Sequence, residues 1–304
     1  MKTLIIVESP SKAKTISSFL KQKDYKVIAS MGHVRNLPKS TLGIDVEKNF
    51  EPKYIVPKDK TKFVNQLKKD AAGFENIILA TDEDREGEAI AWHLKEALKI
   101  KDEAYGRIVF HEITPEAIFT AIDNPRKINF DLVYSQQARR LLDRLVGYSL
   151  SPFLWKKLFK GLSAGRVQTP ALKLIVDREK EIKAFNPEEY WTFEATFKNE
   201  KNKIVGELFK IDDQKLSKMH FKSPLPLQKI SKEIDTKDAK IIDLQKAISN
   251  RKPLPPLVTS TLQQSSFQAY KFSSKKTMML AQKLYEGVDI DGSRAGLITY
   301  MRTD

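Results

Sequence analysis

The stretch ENIILATDEDREGEAIAWHLKEALK, residues 75–99, decides the fold, because it joins an apolar strand to a helix through an acidic turn. The strand-like part is ENIILAT (75–81), and helical spacing follows in AIAWHLKEALK. Similar apolar runs occur at KTLIIV (2–7), YKVIAS (25–30) and RIVF (107–110), and helix-like segments separate them. Apolar strands that alternate with helices predict an α/β domain, a mostly parallel sheet covered by helices, over the first 125 residues.

Two further patterns follow along the chain. From Asp131 to Phe185 the spacing of apolar residues is helical, clearest in LVYSQQARRLLDRLVGY. Beyond it the chain is β-like and rich in lysine as far as Ile242, and the prolines of NRKPLPPLVTS (250–260) favour an extended linker. A chain of 304 residues exceeds the usual size of one domain, so we expect several.

The charge balance favours a polyanionic partner. Lysine and arginine number 53 against 39 acidic residues, which gives a net charge of +14. Nucleic acid is the first candidate, and a lysine-rich solvated surface is the alternative. The chain has no cysteine, which excludes disulfide scaffolds and thiol nucleophiles, and no apolar run approaches the length of a membrane span or signal peptide. We therefore expect a soluble cytosolic protein that does not bind a membrane.

An acidic cluster follows the strand at ENIILAT. Asp82, Asp84 and Glu86 occupy alternate positions, so the carboxylates can point to one place beyond the sheet, and such hard oxygen ligands suit Mg²⁺. The alternative is that they complement the dipole of the following helix. Glu8, at the end of the strand LIIV, favours the metal, because ligands of α/β sheets bind at the carboxyl ends of strands. Several acids at one edge would also repel one another without a cation.

Three other candidates have two interpretations each. Lys12 lies about one helical turn after Glu8 and is either a solvated lysine or a phosphate contact. His33, in the loop GHVRNLP, is either a structural or a functional histidine. Arg166, in GLSAGRVQ, either contacts a phosphate at a helix start or belongs to an ordinary helix cap. The motif G-x-x-x-x-G-K-[ST] does not occur, so nothing indicates the use of ATP.

Tyr300 is the candidate nucleophile. A phenol with a pKa of about 10 is ionised in about one molecule per thousand at pH 7, so its use as a nucleophile costs about 4 kcal/mol without help. Arg302, two residues further along an extended chain, can stabilise the attacked phosphate. The alternative is a structural tyrosine in a β-like stretch.

Six motifs together closely resemble the bacterial type IA DNA topoisomerases. They run in the family's order from Met1 to Asp304: VESPSKAKTI, GHVRNLP, TDEDREGEAIAWHL, QQARRLLDRLVGY, GLSAGRVQ and GLITYMRTD. The resemblance implies an ATP-independent enzyme that relaxes negatively supercoiled DNA by cutting one strand, passing another through and rejoining. Its expected partner is a single-stranded segment of DNA, its cofactor Mg²⁺, its state monomeric, and its location the cytoplasm at the nucleoid.

The resemblance also assigns roles to residues. It implies that Tyr300 forms a 5′-phosphotyrosine with help from Arg302, that Lys12 lies near the scissile phosphate, and that His33 is close to the active site. The metal-handling acids of a toprim fold would be Glu8, Asp82, Asp84 and Glu86. The DNA-binding residues would be Arg85, Arg139, Arg140, Asp143 and Arg166.

The resemblance divides the chain into four parts. These are a toprim domain (1–128), a helical domain that binds single-stranded DNA (129–184), a β-rich arch (185–257) and the start of a helical tyrosine domain (258–304). Family members continue well past this last motif, so we expect exposed apolar surface from about residue 129 and no relaxation activity from this chain alone. Two alternatives stay open: another type IA enzyme such as topoisomerase III, and a non-catalytic fragment that binds metal and DNA while Tyr300 is idle.

Overall fold

The computed structural model describes residues 3–20, 24–198, 201–235 and 238–302. The chain forms two compact units, one made of Met1–Pro170 with Pro255–Asp304 and the other of Ala171–Leu254. The first unit contains strands β1 (Thr3–Val7), β2 (Tyr25–Ala29), β3 (Ile44–Asp45), β4 (Glu51–Pro52), β5 (Asn76–Leu79) and β6 (Tyr105–Arg107). Its helices before residue 160 are α1 (Pro10–Phe19), α2 (Thr61–Ala71), α3 (Arg85–Leu98), α4 (Pro115–Asp123) and α5 (Phe130–Lys157).

A parallel sheet in the order β2-β1-β5-β6 organises this unit. Ile5 of β1 lies opposite Val27 on one side and Ile78 on the other, and all three pairs of neighbours run parallel. Every residue of β1 is buried, as expected for a strand with helices over both faces. One face packs against α2 and α3, and the other against α1 and α4. The predicted parallel sheet covered by helices is confirmed.

The strand predicted at RIVF (107–110) lies earlier in the chain, at Tyr105–Arg107. Strand β6 ends at Arg107. The N–H of the next residue, Ile108, still donates to the carbonyl of Leu79 in β5, whereas the buried Phe110 lies beyond the strand. An apolar run reports burial, whereas membership of a strand depends on hydrogen-bonding partners, so periodicity alone misplaced the boundary.

The predicted helical stretch contains two helices. Helix α5 begins after Asn129, whose side chain accepts from the N–H groups of Asp131 and Leu132, and α6 covers Gln168–Ala184. No helix of the described residues combines the length and apolar character that crossing a membrane requires. Exposed large apolar side chains lie mainly beyond residue 129, as expected, with Phe153 and Leu174 as examples.

The last part of the first unit carries Tyr300. Helices α8 (Thr259–Tyr270) and α9 (Ser274–Glu286) precede a hairpin of β11 (Val288–Ile290) and β12 (Ser293–Ala295). Ala281 and Tyr285 of α9 join the same core as β1 and α1. Tyr300 itself lies in irregular backbone, not in a strand, and its N–H donates to the carbonyl of His111 at 2.7 Å. The β-like interpretation of this stretch was wrong, because its backbone groups bond to separate segments and do not form a ladder. The N–H groups of Gly296 and Leu297 donate to the carbonyls of Ile113 and Leu284.

The second unit contains most of α6 and a set of short antiparallel strands. These are β7 (Glu194–Lys198), β8 (Lys203–Glu207), β9 (Lys210–Ile211) and β10 (Gln214–Lys215), followed by helix α7 (Leu225–Ile234). The β-like character is present, but of SPLPL (223–227), predicted as a loop, only Ser223 and Pro224 precede α7, and the last three residues form its first turn. Proline is tolerated in the first helical turn, where its missing N–H has no partner to lose.

Candidate active site at the carboxyl edge of the sheet

The four candidate acids line one cavity at the carboxyl ends of β1 and β5. We call it the tyrosine cavity, of about 660 Å³, and its walls are Glu8, Ser9, Asp82, Asp84, Glu86, Ile90, Met278, Met279, Gln282, Glu286, Tyr300 and Arg302. Glu8 follows β1, while Asp82 and Asp84 follow β5, which is the neighbouring strand. The rule that ligands meet at the strand ends therefore placed these acids correctly.

One of the acids also lies at the N-terminus of the following helix, as the alternative interpretation expected. Asp84 is the N-cap of α3, and its side chain accepts from the N–H of Gly87 at 2.7 Å. Its other oxygen, Oδ2, faces the tyrosine cavity and accepts from Tyr300. The two interpretations do not compete, because each uses a different oxygen of the same carboxylate.

Lys12 is buried between two acids of the cluster. Its side chain is 0% exposed, and its Nζ donates to Glu8 and to Asp82. The solvated-lysine interpretation was wrong, because the first turn of α1 faces inward across the sheet edge. The mutual repulsion that argued for a metal is offset at Glu8 and Asp82 by this ammonium group.

Burial and the close acids shift the pKa values in opposite directions. Burial, with a hydrogen bond to Asp82, raises the pKa of Glu8 to about 8, although the charge of Lys12 opposes the rise. Burial would also raise the pKa of Asp82, but hydrogen bonds from Glu8 and the charge of Lys12 outweigh it and lower that pKa. Two neighbouring carboxyl groups thus differ in charge near neutral pH, which is the arrangement that acid–base chemistry requires.

Tyr300 lies against the acidic cluster. Its hydroxyl donates to Asp84 Oδ2 at 2.7 Å, and Arg302 Nη1 lies 3.5 Å from the same oxygen. Burial, the charge of Asp82 and the bond to Asp84 raise the pKa of Tyr300 well above 10, and Arg302 partly opposes them. The phenol is therefore protonated and needs a base at the moment of attack, and Asp84 already accepts its hydrogen bond.

The DNA-binding candidates lie in two other places. His33, Arg139, Arg140 and Asp143 line a second cavity together with Glu86, and we call it the arginine cavity; its volume is about 300 Å³. Arg166 Nε donates to Asp143 Oδ1 at 2.9 Å, so Arg166 lies beside this group. The sequence had allowed two roles for Arg166, a contact to a phosphate or a part of a helix cap. Arg85 lines a separate cavity of about 550 Å³ on another side of Tyr300 and Arg302.

Glu86 connects the two cavities. Its Oε2 accepts from Gln136 Nε2 at 3.2 Å and lies 3.2 Å from His33 Nε2. The hydrogen bond from His33 is the main reason that the pKa of Glu86 is lowered, although burial opposes it. His33 therefore contacts an acid of the cluster, as a functional histidine would.

Sequence reasoning missed Arg107, Glu88 and Gly87. Arg107 is completely buried, and its guanidinium donates to the carbonyls of Thr81 at 2.9 Å and Asp82 at 2.8 Å. Glu88 accepts from Arg107 Nε at 3.1 Å and so completes a clamp on the acidic turn. Arg107 resembled an ordinary strand residue, and no local pattern indicated its role. The glycine at position 87, within a helical pattern, was the one visible signal.

Residues 127–304 match the family model described as DNA topoisomerase, which is more than half of the chain, and residues 3–113 match the Toprim domain model. The chain belongs to the type IA DNA topoisomerases. It is also similar to the solved structure of full-length topoisomerase I from Thermotoga maritima, with 45% sequence identity and a TM-score of 0.85. That match covers 99% of this chain and 49% of the Thermotoga chain, so this chain spans about half the length of that relative.

The donor set of this topoisomerase fits Mg²⁺ in chemical type. Glu8, Asp82, Asp84 and Glu86 supply the hard oxygens that the ion prefers, and they line one cavity. Each of them already holds a protein partner, and among the described residues no set of three or more His, Cys, Asp or Glu side chains is arranged around one point.

Proposed function

We propose that the protein relaxes negatively supercoiled DNA as a topoisomerase, with Tyr300 as its nucleophile and without ATP. The observation that carries the proposal is the hydrogen bond from the Tyr300 hydroxyl to Asp84 inside a cavity that also contains Glu8, Asp82 and Arg302. A half-buried phenol that donates to a carboxylate beside an exposed guanidinium group has the parts of a phosphoryl-transfer nucleophile.

The chemistry follows from these positions. The oxygen of Tyr300 attacks the DNA phosphorus, the bond from phosphorus to the 3′ oxygen breaks, and a 5′-phosphotyrosine forms. Asp84 accepts the phenol proton, and Glu8, whose pKa of about 8 keeps it largely protonated at neutral pH, supplies a proton to the leaving oxygen. Arg302 stabilises the charge on the phosphate. Because the covalent link conserves the energy of the phosphodiester, rejoining needs no nucleotide.

The acids of the cluster would bind the metal, and the arginines would bind the DNA. Asp82, Asp84 and Glu86, with Glu8, would hold Mg²⁺, which when bound supplies positive charge that orients the DNA phosphates. Arg139, Arg140 and Arg166, with Asp143, would bind a single strand through its backbone, and Arg85 would contact it on the other side of Tyr300. Lys12 acts on the cluster through the charges of Glu8 and Asp82. The four domains bounded at 128, 184 and 257, a monomeric state and a place in the cytoplasm at the nucleoid belong to the same proposal.

A covalent-adduct assay tests the nucleophile. The protein, at the length that its gene encodes, is incubated with Mg²⁺ and an end-labelled single-stranded oligonucleotide, then denatured and separated on a gel. Wild type and Tyr270→Phe, a change at an exposed tyrosine, should both form a protein–DNA adduct, and Tyr300→Phe should form none. An adduct that persists in Tyr300→Phe would remove Tyr300 as the nucleophile. Binding without any adduct in wild type would favour the non-catalytic alternative.

A further inference from the structure

Lys60 lies where a positive charge is unfavourable. It is the N-cap of α2 and ends the short 3₁₀ turn Lys58–Lys60 that leads into this helix. The N-terminal end of a helix carries positive partial charge, so a cation at this position is repelled by it. Residues that break a local rule in this way are found mainly at functional sites, where the side chain has another role.

The ammonium group of Lys60 holds the loop that carries His33. Its Nζ donates to the carbonyl of Met31 at 3.0 Å and to that of His33 at 2.8 Å. Between these carbonyls the backbone is left-handed at two successive residues, with φ of 55° at Met31 and 78° at Gly32. Left-handed backbone is strained for a residue with a side chain, so the turn at Met31 depends on support from its surroundings. Lys60 gives this support through two charge-assisted hydrogen bonds.

The same loop connects two acids of the tyrosine cavity. The N–H of Gly32 donates to the carbonyl of Glu8 at 3.1 Å, which ties the loop to the end of β1. The next residue is His33, and its Nε2 lies 3.2 Å from Glu86 Oε2. Both Glu8 and Glu86 line the tyrosine cavity. A fixed turn at Gly32 therefore fixes the imidazole relative to Glu86.

We propose that Lys60 is a positioning residue of the active site, which fixes the loop and so holds the imidazole of His33 against Glu86. The inference rests on the proposed function, in which Glu86 is one of the acids that hold Mg²⁺. Hydrogen bonds from neighbouring side chains orient a metal-binding carboxylate, and their loss lowers metal affinity or activity. Among the described residues, Lys60 is not one of those that line the tyrosine cavity, so its effect passes through His33.

The first test observes the imidazole directly, without metal or DNA. The NMR signal of the His33 ring is the one that disappears in His33→Ala. In EDTA at one fixed pH, Lys60→Met should shift or broaden this signal, because the loop loses both hydrogen bonds from the ammonium group. Lys62→Met makes the same chemical change at an exposed lysine two positions further along, and its His33 signal should match that of wild type.

The second test measures the reaction with Mg²⁺ and the single-stranded oligonucleotide. Lys60→Met should form the adduct at saturating DNA about 10-fold more slowly than wild type, the lower end of the loss for an outer partner of a metal ligand. The oligonucleotide concentration at half saturation should change by less than about twofold, because binding of the DNA is not affected. Lys62→Met should match wild type in both quantities. Since Lys60 acts through His33, the double variant of Lys60→Met and His33→Ala should be no slower than His33→Ala alone.

Three results would overturn the proposal. These are an unchanged His33 signal in Lys60→Met, equal rates for Lys60→Met and wild type, and a double variant in which the two losses multiply. None of them affects Tyr300 as the nucleophile, because wild type would still form its adduct. If wild type forms no adduct, the proposed function fails, and the NMR signal alone then decides whether Lys60 holds His33.

Discussion

Gly87→Ala is the substitution whose sign the structure predicts most sharply. A Cβ at this position would lie 2.2 Å from the carbonyl oxygen of Asp82 and 2.8 Å from its carbonyl carbon and nitrogen. Comfortable contacts of carbon atoms are about 3.5–4.0 Å, so the backbone of the acidic turn or the first turn of α3 must move by about 1 Å. Arg107 holds the same backbone through the Asp82 carbonyl, so little of this movement is free.

Helix propensity and overpacking change the free energy of unfolding of Gly87→Ala in opposite directions. Alanine is favoured over glycine inside a helix by about 1 kcal/mol. Overpacking against well-fixed atoms costs about 1–3 kcal/mol, and a contact with backbone belongs at the upper end. The net expectation is a loss of about 2 kcal/mol in the free energy of unfolding, with a lower yield of adduct because Asp82 and Asp84 are displaced.

Urea unfolding followed by circular dichroism measures the stability. Gly73→Ala is the control, since a Cβ there meets no atom within 4 Å, and its unfolding free energy should stay within about 0.5 kcal/mol of wild type. A Gly87→Ala protein as stable as wild type, or more stable, would refute the reasoning. It would show that the acidic turn tolerates movement and that helix propensity alone governs this position.

Two more predictions concern buried charge. Burial, together with the charges of His33 and Arg35, lowers the pKa of His93 to about 3. Below pH 6.5 the imidazole therefore binds a proton in the unfolded chain but stays neutral in the folded chain, so the folded state loses stability. The protonation of His93 should lower the free energy of unfolding by about 2 kcal/mol between pH 8 and pH 5. In urea unfolding, His93→Gln should lose about 2 kcal/mol less than wild type over this pH range. The same pH dependence in both proteins would contradict the prediction. Lys12→Met leaves the buried carboxylate of Asp82 without its cation and should cost about 3–5 kcal/mol, whereas Lys14→Met, exposed on the same helix, should cost almost nothing. Equal melting temperatures for the two lysine variants would show that the cluster does not depend on Lys12.

The sheet and the position of the acids could be predicted because both depend on local patterns. Apolar runs of four to six residues indicated the buried strands, and the rule for strand ends brought Glu8 next to Asp82 and Asp84. The same approach misplaced β6 and treated SPLPL as a loop. In each of these cases hydrogen-bond partners or helix position decided the outcome, and a pattern of residue types contains neither.

The sequence by itself determined the alternation of strands and helices and the acidic turn, because these depend on residues close together in the chain. The candidate nucleophile followed from the resemblance of six motifs spread along the whole sequence. Only the tertiary structure decided the partners. Tyr300 and Asp84 are 216 positions apart, and Lys12 is 70 positions from Asp82. Such pairs form when strand register and helix packing bring distant segments together, so whether a lysine is solvated or buried depends on the packed fold and has no local signal.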